Sequence, residues 1–250
     1  DMKQLHLAVI AILVLLAGFA VFSANRDHTA AGPFVSGALY YDQSLDAPAS
    51  FKTGGFVVEW DPAAGGSLRV GHAADPGKEL WRTLQGEGFV ASGFGQAKVS
   101  ESRGSITIDE NLKRTCETQH IERIGANNGT VEIEGFLECM GRRGPDYTLS
   151  FKPAGESRLL FNLEIHSDEH NRSFLTYASD PDEHFFGFGE QFSHFDLKGR
   201  RVPIIVSEQG IGRGLQPITT VLNLAARAGG FWHSSYACVP HYVTSRMRSL

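Results

Sequence analysis

Phe185-Phe186-Gly187-Phe188-Gly189-Glu190-Gln191-Phe192-Ser193-His194-Phe195-Asp196, and further on Glu208-Gln209-Gly210-Ile211-Gly212-Arg213, bring glycine, aromatic and hydrogen-bonding side chains together more densely than any other part of the chain. Glycines at this density mark backbone that turns through positive φ or passes close to another group. The phenylalanines at 185, 186, 188, 192 and 195 alternate with Glu190, Gln191, Ser193, His194 and Asp196. Carboxylates, amides and a guanidinium beside flat rings suit a sugar. Hydroxyls take paired hydrogen bonds while the C–H face of the sugar lies on a ring. The plainer alternative is an ordinary loop region joining strands of a β domain, because a glycine-rich loop alone does not separate the two.

Upstream of this stretch the pattern is β. Phe56-Val57-Val58-Glu59-Trp60 ends at Asp61-Pro62, and Leu68-Arg69-Val70 alternates before Gly71. The same two-residue period runs through 105–109, 131–134, 147–151, 161–165 and 174–177. Alternation of this kind, with turn residues every ten or so positions, predicts a β-sandwich with one face of each sheet in water. Asn127-Asn128-Gly129, Arg143-Gly144-Pro145 and Pro153-Ala154-Gly155 read as the turns. No convincing amphipathic helix is expected after residue 55; the nearest candidate is 222–228, ended by Gly229-Gly230. The chain ends on an expected strand at 242–246.

Residues 5–22 are apolar apart from His6, just long enough to span hydrocarbon as a helix. They read either as a signal peptide cleaved near Ala20 or Ser23, or as an uncleaved membrane anchor with the rest of the chain exported. Residues 25–54, rich in Ala, Gly, Ser, Asp and Pro, read as a tether and the approach to a domain that fills 55–250. A net charge of -5 and the lack of any Lys/Arg run disfavour nucleic acid as a partner. In an exported chain Cys116 and Cys139 can pair across neighbouring strands and leave Cys238 free; three buried thiols are the alternative. There is no Cys-x-x-Cys and no His-Glu-x-x-His, and His166 and His170 straddle an expected strand end, so neither metal nor cofactor is expected.

The order Gly187-Phe188-Gly189-Glu190-Gln191-Phe192-Ser193, Phe195-Asp196-Leu197 and Glu208-Gln209-Gly210-Ile211-Gly212-Arg213 resembles the N-terminal domain of family 31 glycoside hydrolases. Within the family it is most similar to the bacterial α-glucosidase and sulfoquinovosidase-like branch. The similarity continues more loosely through Gly230, Tyr236, Pro240 and Tyr242-Val243-Thr244-Ser245, while residues 50–184 agree only in the rhythm of short strands. The resemblance implies an all-β fold, a galactose-mutarotase-like β-sandwich, here preceded by one N-terminal hydrophobic helix. It also implies retaining hydrolysis of an α-glucoside or related sugar by two aspartates in a (β/α)8 barrel that follows this domain, so no catalytic residue is assigned within the chain.

The part left to this domain is support of that barrel and contact with the carbohydrate substrate. Glu190, Gln191, Glu208, Gln209 and Arg213 are the positions that the resemblance implies for the rim of the sugar pocket. Alternatively, Glu190 or Glu208 pairs with Arg200, Arg201 or Arg213 to hold the loop. Two other functions compete: a stand-alone carbohydrate-binding module, and an epimerase using Glu190 with His194 or His184 as base and acid. Isolated from a barrel, the domain is expected to expose apolar surface and unpaired strand edges.

Overall fold

The structure, a computed structural model, describes residues 36–250 apart from Arg103 and Arg227. The apolar run at 5–22 and the expected tether up to residue 35 lie outside the described residues. Among those described, no helix is long and apolar enough to cross a membrane. The chain is mostly β and forms several sheets, with two compact units.

The first unit's described residues are 36–98 and 109–181. Its largest sheet begins with β1 (Leu39–Tyr41), which pairs in parallel with β8 (Thr118–Asn127). Beyond β8 come β9 (Thr130–Cys139), β10 (Arg142–Pro153) and β11 (Leu159–His166), all antiparallel. A second sheet is a meander of β2 (Ala49–Thr53), β3 (Phe56–Asp61), β4 (Ser67–His72) and β5 (Asp75–Arg82). A third joins β12 (Arg172–Leu175) to β6 (Val90–Ser102) and β7 (Ser105–Cys116), the tip of whose hairpin, Val99–Ile108, belongs to the second unit.

Period-2 burial explains why these strands form. Phe56, Val58 and Trp60 on β3, Val131, Ile133 and Leu137 on β9, and Tyr147, Leu149 and Phe151 on β10 turn inward while their neighbours stay wet. Most of them belong to one buried cluster that draws on the five-stranded and four-stranded sheets together. Each such side chain contributes about 1.5–3 kcal/mol by leaving water.

Among the described residues, one buried side-chain polar atom, Trp81 Nε1, has no partner; the others are satisfied. The Gln119 carbonyl accepts from the Phe89 and Val90 N–H groups at 2.8 and 3.0 Å, and its amide donates to the Tyr147 hydroxyl at 2.7 Å. Burial pushes the Tyr147 phenol well above its ordinary range. Trp60 Nε1 donates to the Leu45 carbonyl at 2.8 Å, tying the 36–54 segment into the core.

Several expectations hold and several are revised. Asn127-Asn128-Gly129 makes the β8–β9 hairpin, with Asn128 and Gly129 at φ 48° and 77° as a type I′ turn requires. Arg143-Gly144-Pro145 is no turn: it lies inside β10 as a bulge opposite β9, and the turn falls instead at Met140-Gly141, φ 52° and 77°. The strand expected at 174–177 runs Arg172–Leu175. Cys116 and Cys139 form a disulfide and Cys238 is a free thiol.

The second unit's described residues are Val99–Ile108, without Arg103, and Asp182–Leu250, without Arg227. Here β13 (Phe185–Gly189) pairs antiparallel with β14 (Cys238–Thr244), the strand expected at 242–246. Between them lies a helix, α1 (Ile218–Ala226), which corrects the expectation of no convincing helix there. Its stripe of Ile218, Val221 and Leu224 is 45%, 57% and 83% exposed, so the apolar side faces outward. The polar side faces in: Thr219 Oγ1 accepts from the Gly214 N–H and Asn223 Oδ1 from the Gly229 N–H.

Candidate functional site

The site grows from β13. Gly187, Phe188 and Gly189 take φ of 114°, 62° and 82°, and the register to β14 slips between Gly187 and Gly189. A left-handed Phe188 costs about 1–2 kcal/mol, so the surrounding pairing holds it there. The slip rolls the chain out of the sheet at Glu190, whose N–H donates to the Ala237 carbonyl at 2.8 Å. The following loop, through Gln191, Phe192, Ser193, His194 and Phe195, walls a cavity of about 350 Å³ with Phe186 and the two glycines.

The loop is anchored behind by Asp196. Its carboxylate accepts from His184 Nδ1 at 2.7 Å and from the Phe185 and Lys198 N–H groups at 3.1 and 3.0 Å. His184 first, then the Lys198 N–H, holds the Asp196 carboxyl down to about 2. A carboxylate lowered in the folded state adds stability that is complete above its ordinary pKa of 3.8 and is lost as pH falls through the folded value. Asp196→Asn is therefore expected to melt below wild type near pH ~5, with the gap closing between about pH 4 and 2. A gap that stays constant down to about pH 2 would show that shape, not charge, sets the contribution.

The second half of the stretch folds over a backbone contact between 209–211 and 228–230. The Ile211 N–H donates to the Ala228 carbonyl at 2.8 Å, and the Gly230 N–H to the Ile211 carbonyl at 3.0 Å. A Cβ on Gly210 (φ 58°) would lie 2.4 Å from the Gly230 nitrogen. Arg213, at φ 43°, then reaches back to the first half. Its guanidinium donates to Gln209 Oε1 at 2.8 Å and to Ser193 Oγ at 3.3 Å, and stacks over the Phe192 ring at 4.7 Å.

Of the five expected site residues, Gln209 and Arg213 are thus bonded to each other, and Arg213 also to the 191–193 loop. Gln191 lines the cavity and donates to the Phe188 carbonyl at 3.3 Å. Glu208 accepts from the Tyr236 hydroxyl at 2.9 Å. That bond and the Glu208 charge raise the Tyr236 phenol, with a further push from the Glu190 charge, so both carboxylates act on the same phenol. Glu190 is exposed, and its carboxylate makes no hydrogen bond or ion pair among the described residues.

Loop-holding by an ion pair is not what the structure shows. Among the described residues, neither Glu190 nor Glu208 pairs with Arg200, Arg201 or Arg213. Arg213 is held by neutral groups, and Arg200 sits over the Trp232 ring at 5.4 Å. Nor do the drafted epimerase pairs form: His184 is engaged by Asp196, and His194 lies edge-on to Trp232 at 5.4 Å. Sequence reasoning misses Ser193, Phe192 and Tyr236 as site residues. The spacing of Tyr236 from Glu208 carries no local signal of their bond.

This is a mostly-β chain whose chemistry-bearing loop springs from a glycine-bulged strand pair. Its fold is shared with a solved family 31 sulfoquinovosidase from E. rectale, determined with an aza-sugar inhibitor, at a TM-score of 0.59 and 22% identity, covering 75% of this chain and 26% of that one. By sequence it is 33% identical over 159 residues to a sulfoquinovosidase of Escherichia coli strain K12, 62% of this chain and 22% of that protein. It is 30% identical over 167 residues to a sulfoquinovosidase of Agrobacterium fabrum strain C58, 64% of this chain and 22% of that protein. No family model matches the chain. The chain is homologous to the sulfoquinovosidases of glycoside hydrolase family 31, and it spans about a fifth (22%) of the length of the curated relatives it matches.

Proposed function

We propose that this chain is the N-terminal β-sandwich region of an exported, retaining α-glycosidase that acts on sulfoquinovosides or related α-glucosides. In this reading Glu190, Gln191 and the 208–213 segment form the rim of the sugar pocket, and a (β/α)8 barrel of the same polypeptide supplies the two catalytic carboxyl groups. The names of the two sequence relatives support the substrate class. The apolar run at 5–22 and the Cys116–Cys139 disulfide support export, since disulfides persist in oxidising compartments.

The observation that carries the reading is the 350 Å³ cavity lined by Gln191, Phe192 and Ser193, with the exposed Glu190 between its lining residues Gly189 and Gln191 in sequence and without a hydrogen bond or ion pair of its carboxylate among the described residues. The outward apolar stripe of α1, together with Phe195 at 83% and Leu215 at 63% exposure, favours a domain that packs on a barrel over a stand-alone binding module.

Glu190→Gln in the full-length enzyme tests it, because the change keeps shape and removes charge. Losing one charged hydrogen bond to a sugar hydroxyl is expected to lower kcat/KM roughly ten- to a hundredfold, about 1.5–3 kcal/mol, at an unchanged Tm. Unaltered kcat/KM, or a rate loss that merely follows the fraction unfolded, would take Glu190 off the rim.

A further inference from the structure

The first unit holds a cavity of about 660 Å³, whose wall includes Cys139, His170, Arg114, Arg142 and Arg143. Cys139 is joined to Cys116, which is fully buried, so only one sulfur of the disulfide belongs to the cavity wall. His170 Nε2 lies 3.9 Å from Cys116 Sγ, and His170 Nδ1 is 2.8 Å from the hydroxyl of the buried Ser92. With Ser92 donating to Nδ1, the ring presents its Nε2–H to the Cys116 sulfur.

Three arginines line the cavity. Arg114 is paired with Glu169, which also lines the cavity, and Arg143 with Glu122 and Asp146. Arg142 is exposed and makes no side-chain hydrogen bond or ion pair among the described residues. The ligand atoms of Cys116, Cys139 and His170 lie within 4.8 Å of one another, but the cysteines are spent in the disulfide and the arginines oppose a cation.

We propose that Cys139 is a thiolation site, at which a small anionic thiol enters this cavity and exchanges with the Cys116–Cys139 disulfide. The incoming thiolate attacks Cys139 Sγ, forming a mixed disulfide as the S–S bond to Cys116 breaks. The electron pair leaves on Cys116 as a thiolate, and the His170 Nε2–H donates to it. One disulfide and one thiolate are consumed, one of each is produced, and no oxidant is needed. Attack at Cys139 follows from access, departure of Cys116 from its hydrogen-bond donor, and the preference for an anionic thiol from Arg142.

The test uses the oxidised full chain carrying Cys238→Ser, so that no other thiol is present. It is incubated with glutathione, or with cationic cysteamine at equal thiolate concentration, and quenched with an alkylating agent before peptide mass mapping. The expected product carries the thiol on Cys139 and the alkyl group on Cys116. Glutathione should react about tenfold faster than cysteamine at low salt, and the advantage should shrink at high salt. Arg142→Gln, an exposed change, should bring the two thiols together in rate. His170→Ala should slow both roughly tenfold. His170→Gln, which keeps an N–H donor, should recover part of that loss. An adduct on Cys116, reaction only in denaturant, or equal rates for the two thiols in wild type would each overturn the proposal.

Discussion

Glu183→Gln is expected to cost about 3–5 kcal/mol of folding stability, read as a large drop in the urea midpoint. Glu183 has no exposed surface, and both its oxygens accept from Arg248, one from Nε at 2.6 Å and the other from Nη2. The pair joins a residue just before β13 to the last turn of the chain. It does not act alone: Ser245 exchanges hydrogen bonds with His184 at 3.0 Å, and Arg246 pairs with the exposed Asp182. The exposed Asp182 pair is worth little, because solvent screens it. The buried pair differs, since removing one partner strands a guanidinium that is only 14% exposed. Glu183→Leu with Arg248→Met should therefore be less damaging than Glu183→Gln alone, because an apolar pair leaves no charge uncompensated. If the single change shifted stability by less than about 1 kcal/mol, the charge would be reaching water and the pair would not anchor the base of the site loop.

The Glu183–Arg248 pair also shows where sequence reading stops. The strands that bury one face, such as β3, β9 and β10, announce themselves by alternation. β6 does not: Val90-Ala91-Ser92-Gly93 is mostly small residues, buried throughout its first positions, so no two-residue period exists to be read. α1 is hidden for the opposite reason. Its apolar stripe faces out and its threonine and asparagine face in, which inverts the pattern an amphipathic helix offers. Between 36 and 54 the strands β1 and β2 are only three and five residues long, and a composition of small polar residues masks them.

In the site the glycines and the closeness of Arg213 to Gln209 are legible from density and spacing. Contacts across long separations are not. Arg213 meets Ser193 twenty residues away, and Glu208 meets Tyr236 twenty-eight away, through backbone turns that no local pattern encodes. Reading Glu190 and Glu208 as partners for an arginine is reasonable charge arithmetic. It fails because the left-handed turn at Arg213 aims its guanidinium at an amide, a hydroxyl and a ring instead.

Gly189→Ala is expected to lose on the order of 3 kcal/mol or more of folding stability and, under the proposed function, to lower kcat/KM of the full-length enzyme. Two effects add. At φ 82° any side chain costs about 1–2 kcal/mol. In addition, the new Cβ would sit 2.1 Å from the Ala237 carbonyl oxygen and 2.8 Å from the Val239 nitrogen, which are backbone atoms of and beside β14 and not a flexible side chain that can swing away. The same Ala237 oxygen accepts the Glu190 N–H, so relieving the clash pulls apart the bond that fixes where Glu190 begins. Gly199→Ala separates the two effects. Its φ is similar, 75°, but nothing lies within 4 Å of where its Cβ would stand, so it should lose only the conformational part, about 1–2 kcal/mol, and keep kcat/KM in the full-length enzyme. Equal losses from the two alanines would mean that β14 does not press against Gly189. The rim position proposed for Glu190, which depends on that close approach, would then lose its structural support.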